Sequence, residues 1–190
     1  MMRMLLNSVA MGLMGLLLAV GLIAGAVPAA AGTAAEIDKE VALALEKLYA
    51  ASPAAVELAK VSKGVLVFPD VVKAGLIIGG QYGEGALLVD GKTADYFNTV
   101  AASYGLQAGA QSFGYAMFLM NNDSLSYLKK SEGWEVGVGP SVVVMDEGLA
   151  KSLTTSTAKE DIYAFIFGQK GLMAGIGIQG SKITKITPDK

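Results

Sequence analysis

The sequence contains no cysteine and no histidine, and its only arginine is Arg3. Without cysteine there is no disulfide framework, and no thiol of the kind bacterial lipid anchoring needs at the first mature residue. The absence of both residues excludes the common zinc sites and the Ser-His-Asp and Cys-His nucleophile systems. It also removes the side chain most used for proton transfer near neutral pH. Composition therefore argues against an enzyme and gives no reason to expect a cofactor. Only 17% of the residues are charged and the formal net charge is −2. With its lysines scattered, the chain offers no basic face to nucleic acid.

What is abundant is apolar and small: 53% of the residues are hydrophobic and 24 are glycine. The first long apolar run follows Arg3, extends from Met4 to Val27 with only Asn7 and Ser8 interrupting, and leads into Pro28-Ala29-Ala30-Ala31-Gly32. A basic start, an apolar centre and small residues at Ala29 and Ala31 are the parts of a secretory signal peptide. Cleavage after Ala31 is expected, with export to the periplasm or cell envelope. The alternative is an uncleaved anchor, because Val9 to Val27 is just long enough to span a bilayer. Residues 1–31 are thus expected as signal peptide, 32–50 as an N-terminal helix and 51–190 as the main domain.

From Thr33 the pattern is helical, with Ile37, Val41, Ala44, Leu45 and Leu48 on one stripe. Ser52-Pro53 starts a second helix that Gly64 is expected to close. Val65 to Phe68 reads as a short buried strand stopped by Pro69, with Asp70 to Ala74 as a connector. Strands over Leu76–Val89 and Tyr96–Met120 follow, joined at Asp90-Gly91-Lys92, whose Asp-Gly pair signals a hairpin. The second run is too long for one straight strand, so Gly105, Gly109 and Gly114 are expected to bend it. Asn121–Glu132 predicts a short helix with Asp123 as cap. Trp134–Met145 predicts a strand interrupted at Pro140, and Asp146–Asp161 a surface loop. Ile162–Phe167 and Leu172–Ile186 are expected to form a last hairpin turning at Gly168–Gly171.

Three segments share one pattern: Gly75-Leu76-Ile77-Ile78-Gly79, Gly105-Leu106-Gln107-Ala108-Gly109 and Gly171-Leu172-Met173-Ala174-Gly175. Small residues at every second position belong to strands. Glycine inside a strand costs about 0.5 to 1 kcal/mol against alanine, so something must offset so many. A sharp bend, another backbone, or a ligand close to the strand face would do so. The expected fold is α+β: a bent, mainly antiparallel glycine-rich sheet, barrel-like or sandwich, with two N-terminal helices and a short inserted helix.

Lys63-Gly64-Val65-Leu66, Val72-Lys73-Ala74-Gly75-Leu76 with the glycine-rich strand to Val89, and Lys170-Gly171-Leu172-Met173-Ala174-Gly175-Ile176 together resemble the SYLF lipid-binding domain. The resemblance extends over roughly Ala51 to Ile186. It implies a non-enzymatic protein whose partner is membrane lipid, associated with the envelope surface. By position, Lys63 and Lys73 match motif lysines, and Gly79, Tyr82, Gly83, Gly85, Gln107 and Gly109 lie on the candidate lipid-binding strand faces. Eukaryotic members bind phosphoinositides, but past the leader this chain has no arginine for bidentate phosphate recognition. Acyl-chain contact against the glycine faces, at about 0.8 kcal/mol per buried methylene, is therefore expected to outweigh headgroup charge. The alternative from another class is a structural or stress-related envelope protein that uses the sheet for protein contact or self-association.

Other motifs carry less. Gly175-Ile176-Gly177-Ile178-Gln179-Gly180 matches a dinucleotide fingerprint, but that motif must open a helix, and a strand pattern continues here. Ser126-Tyr127-Leu128-Lys129 has the spacing of penicillin-binding enzymes without their Lys-Thr-Gly element. Glu84 and Glu135 would form an acid and base pair only if about 5 to 9 Å apart. Asp146-Glu147 and Glu160-Asp161 match no calcium loop.

Overall fold

In a computed structural model, residues 32–130, 134–135, 140–145 and 159–190 are described. The expected signal peptide, the strand across 136–139 and most of the loop at 146–158 lie outside them. The described residues belong to one compact unit spanning Ala31–Lys190.

Helix α1, Ala34–Ala51, starts at a reciprocal cap. The Glu36 N–H donates to Thr33 Oγ1 at 3.3 Å, and the Thr33 N–H donates to Glu36 Oε2 at 2.9 Å. Two donors that the helix cannot pair internally are thereby satisfied. The Thr33 N–H, and after it the Thr33 hydroxyl, which also donates to Glu36 Oε2 at 2.9 Å, hold the Glu36 carboxyl below its usual range. Ile37, Val41, Ala44 and Leu48 are the buried stripe. Helix α2, Pro53–Val61, has Ser52 as N-cap and ends at Ser62. Gly64 does not close it but opens the first strand.

That strand, β1 (Gly64–Gly75), runs through Pro69 instead of stopping there. Its pairing with β2 (Ile78–Val89) skips from Val67↔Ala86 to Asp70↔Glu84, so Phe68 and Pro69 together face Gly85. A bulge absorbs the missing proline donor and turns the strand over. Before it Leu66 and Phe68 point into one core, and after it Val71 does. Asp90 (φ 50°) and Gly91 (φ 73°) then form the tight turn into β3, Lys92–Leu119.

β3 is one 28-residue strand with two successive partners on the same side. It pairs with β2 from Lys92 to Tyr104, and with β1 from Gly109 to Leu119. The β1–β2 hairpin is therefore gripped by a strand that folds around its turn. Helix α3, Asn122–Lys130, follows, and its cap is Asn121, not Asp123: the Asn121 side chain accepts from the Ser124 N–H at 2.8 Å. Short strands β4 (Trp134–Glu135) and β5 (Val142–Met145) precede β6, Ile162–Ile186.

The expected last hairpin does not form. β6 is continuous and pairs antiparallel with β3 from Ile162↔Leu119 to Ile186↔Tyr96. Gly168 (φ 62°) and Gly171 (φ 85°) do adopt conformations suited to turns. They serve a bulge, because pairing skips from Ser112↔Lys170 to Gly114↔Phe167.

Among the described residues the strand order is β1-β2-β3-β6-β4, with β5 parallel to β6 and every other pairing antiparallel. The fold is α+β, but the expected barrel or sandwich is corrected: a single sheet bends over on itself without closing. One core joins α1 and α2 to Val65, Val67, Phe118 and Phe165. The other is enclosed by the bent sheet and α3 around Phe68, Phe97, Met117 and Leu128.

Candidate functional site

The three glycine motifs meet at one end of the sheet. Gly75 pairs with both Gly79 and Gly109, Gly109 pairs with Met173, Gly105 with Gly177 and Gln107 with Gly175. This is where β3 leaves one partner for the other, and β6 bends outside it. A Cβ placed on Gly75 would lie 2.5 Å from the Gly79 Cα, and one on Gly109 would lie 2.2 Å from the Leu172 carbonyl oxygen. Gly109 also has φ 136°. The glycines allow backbones to approach more closely than any side chain permits.

Outward from this backbone knot, large apolar side chains face solvent. Leu172 is 88% exposed, Ile78 72%, Leu76 70%, Tyr104 69% and Ile77 55%. Chemistry separates this end from the rest of the surface. No acidic residue occurs from Val71 to Gly83, from Tyr96 to Asn122 or from Ile162 to Pro188. The charges nearest the bend in those segments are Lys73, Lys170 and Lys182. They sit behind it in register: Lys73 opposite Gln111, Lys170 opposite Ser112, and Lys182 opposite Val100. At about 3.3 Å per residue they lie roughly 7 to 13 Å behind the tip.

The candidate residues named from sequence divide accordingly. Lys73, Gly79, Gln107 and Gly109 come together at the bend. Tyr82, Gly83 and Gly85 lie farther along β2, and Lys63 is at the opposite end of β1, its N–H donating to the Leu119 carbonyl at 2.7 Å. The glycine faces are not an open groove. A Cβ on Gly83 would meet Val71 Cγ2 at 2.9 Å, and one on Gly85 would meet the Val67 carbonyl oxygen at 2.0 Å. Their surroundings are the chain's own atoms. Residue-by-residue reading missed Leu76, Ile77, Ile78, Tyr104 and Leu172, although the stretch without acidic residues was visible in the sequence.

Glu84 has partners of its own. Its Oε1 accepts from the Tyr82 hydroxyl at 2.5 Å, and its Oε2 accepts from the Gly32 N–H at 2.9 Å. Burial first, then the neighbouring Glu84, pushes the Tyr82 hydroxyl up to about 12. Gly175–Gly180 stays within β6 and opens no helix, so the dinucleotide reading fails. A half-open cleft of about 530 Å³ lies between α1 and the sheet, lined by Leu43, Lys47, Asp70, Gly114, Phe167 and Lys170 among others. Its charges are of both signs, and it adjoins the uncharged end at Lys170.

Comparison with curated proteins gives no match. Residues 100–188 match the family model Ysc84, described as Las17-binding protein actin regulator. The match takes in most of β3, the bend and all of β6. Over residues 100–188 the chain is therefore similar to the Ysc84 or SYLF family, in agreement with the resemblance that its glycine motifs carry.

Proposed function

We propose that the protein is a non-enzymatic, exported lipid-binding protein that docks on a phospholipid bilayer with the bent end of its sheet. The observation that carries this is the cluster Leu76, Ile77, Ile78, Tyr104 and Leu172, exposed on strand segments without acidic residues. The family's association with lipid supports the same reading. Full burial of a large apolar side chain is worth about 1.5 to 3 kcal/mol, so five mostly exposed ones supply roughly 5 to 10 kcal/mol before ordering costs. Three lysines at the level of the headgroups add about 1 kcal/mol each on an anionic leaflet. Apolar contact dominates, in agreement with the weight the sequence gives to acyl chains. Its location differs: the contact is made by side chains at the tip and not by glycine faces.

Among the described residues no helix is long and apolar enough to cross a membrane. The proposed contact is interfacial, with strand ends reaching the acyl boundary and Tyr104 at the depth where tyrosine is enriched.

Co-sedimentation with vesicles of phosphatidylglycerol and phosphatidylcholine tests the proposal. Leu76→Asp with Leu172→Asp is expected to lower binding at least 30-fold while circular dichroism stays unchanged. Replacing Lys73, Lys170 and Lys182 by Gln is expected to lower it several-fold and to remove most of its salt dependence. Unaltered binding by the aspartate variant would overturn the proposal. The rival, self-association through the same end, predicts assembly that depends on protein concentration without lipid and is abolished by the same two aspartates.

A further inference from the structure

Glu84 is the only charged residue in β2, and its cross-strand partner on β1 is Asp70, another carboxylate. Like charges directly opposite one another are unfavourable, and a cation between or beside them relieves the cost. None of the described side-chain contacts of Glu84 is with a lysine. Its carboxylate instead accepts from the backbone nitrogen of Gly32, 52 positions away in sequence. Asn98 stands opposite Glu84 on β3, and among the described residues its buried Oδ1 has no hydrogen-bond partner.

Gly32 is also the residue that cleavage after Ala31 would leave at the N-terminus. The chain is tied down at once beyond it: Thr33 by the Glu36 carboxylate, and Ala34 by its N–H to the Asp189 carbonyl at 2.8 Å.

We infer that Ala31–Gly32 is the processing site and that Glu84 is the receptor for the α-ammonium which processing creates. Hydrolysis breaks the Ala31–Gly32 amide, with water supplying OH to the Ala31 carbonyl and H to the Gly32 nitrogen. At neutral pH the new amine takes up a proton and the new acid loses one. An amide with one N–H becomes an ammonium with three, at the position already 2.9 Å from the Glu84 carboxylate. A neutral hydrogen bond is converted into a charge-assisted one, about twice as strong. The extra donors meet the carboxylate of Glu84, whose cross-strand neighbour Asp70 is also a carboxylate. The amine also sits next to the N-terminus of α1, where a positive charge is unfavourable, and Glu84 offsets that cost. Processing thus fastens the first residue of the mature chain to the centre of the sheet, and the folded state is more stable after removal of the leader than before.

This inference rests on the export reading but not on the lipid reading, and the experiment separates them. The protein is expressed with its full leader, recovered from the envelope fraction and weighed intact by mass spectrometry. A chain beginning at Gly32 is expected. The thermal midpoint is then compared for the processed protein, its Glu84→Gln variant, and both after selective acetylation of the α-amine at mildly acidic pH, where the lysines stay protonated. Either change alone is expected to lower the midpoint by about 3 to 6 °C, and the two together by no more than the larger one. A chain retaining its leader would overturn the export reading and this inference with it. Cleavage at another bond, or additive effects of substitution and acetylation, would overturn this inference alone and leave vesicle binding unaffected.

Discussion

At the scale of single residues, the glycines divide by what their missing Cβ would meet. Gly85 lies opposite the bulge at Phe68 and Pro69, and a methyl group there would sit 2.0 Å from the Val67 carbonyl oxygen, so even alanine forces the bulge to move. Gly80 has open space on that side. Gly85→Ala is expected to destabilise the fold by about 3 kcal/mol or more, and Gly80→Ala to change it by less than about 0.5 kcal/mol. Urea unfolding of the two variants checks the contrast; equal effects would mean that the glycines are not set by backbone approach. Asp161 is a second informative residue. It accepts from the Ser141 N–H at 2.9 Å, the Asn121 side-chain amide at 2.7 Å and the Ser141 hydroxyl at 3.1 Å, and these bonds hold its carboxyl below the usual range. A depressed carboxyl contributes stability above its unfolded pKa and loses it as pH falls through the folded one. Asp161→Asn should therefore be less stable than wild type at neutral pH, with the gap closing below about pH 4. Thermal midpoints measured across that range would show it.

At the scale of elements, what local sequence could reveal depended on whether the relevant contacts were local. The α1 stripe of Ile37, Val41, Ala44 and Leu48 is buried, and Asp90-Gly91 is a turn, because helix periodicity and turn chemistry act within a few residues. Pro69 and Gly168–Gly171 mislead for a shared reason. Proline ends a strand and paired glycines make a hairpin unless a distant partner accommodates them, and here Gly85 and Ser112–Gly114 do so by forming bulges. The site was half legible for a related reason. Glycine motifs and Lys73 stand out in sequence, whereas the exposure of Leu76, Tyr104 and Leu172 depends on three remote segments meeting at the bend. Helix α3 offers a test at this scale. Its cap, Asn121, also donates to Asp161, so Asn121→Ala removes a cap and a link between elements. A loss of about 1 to 2 kcal/mol is expected in denaturant unfolding. Asp123→Ala should cost less than half of that, and the reverse order would reinstate Asp123 as the cap.

At the scale of the whole molecule, the sheet has two ends of different character. α1 and α2 cover one core, and Asp70, Glu84 and Asp95 with its Lys185 ion pair lie away from the bend. The bend itself is apolar, and the nearest charges on β1, β3 and β6 are lysines, of which Lys182 lies opposite Glu135 on β4. Such an asymmetry suits a protein that keeps one end in water and presses the other into a membrane interface. Because the chain has no cysteine, one can be placed at any chosen point. The most direct test labels Ile77→Cys at the tip, and separately Leu43→Cys on the exposed side of α1, with a polarity-sensitive fluorophore, and adds phosphatidylglycerol vesicles. A strong blue shift and quenching by acyl-chain spin labels are expected at position 77, with neither at position 43. Quenching at position 43 with position 77 still in water would contradict docking through the bend.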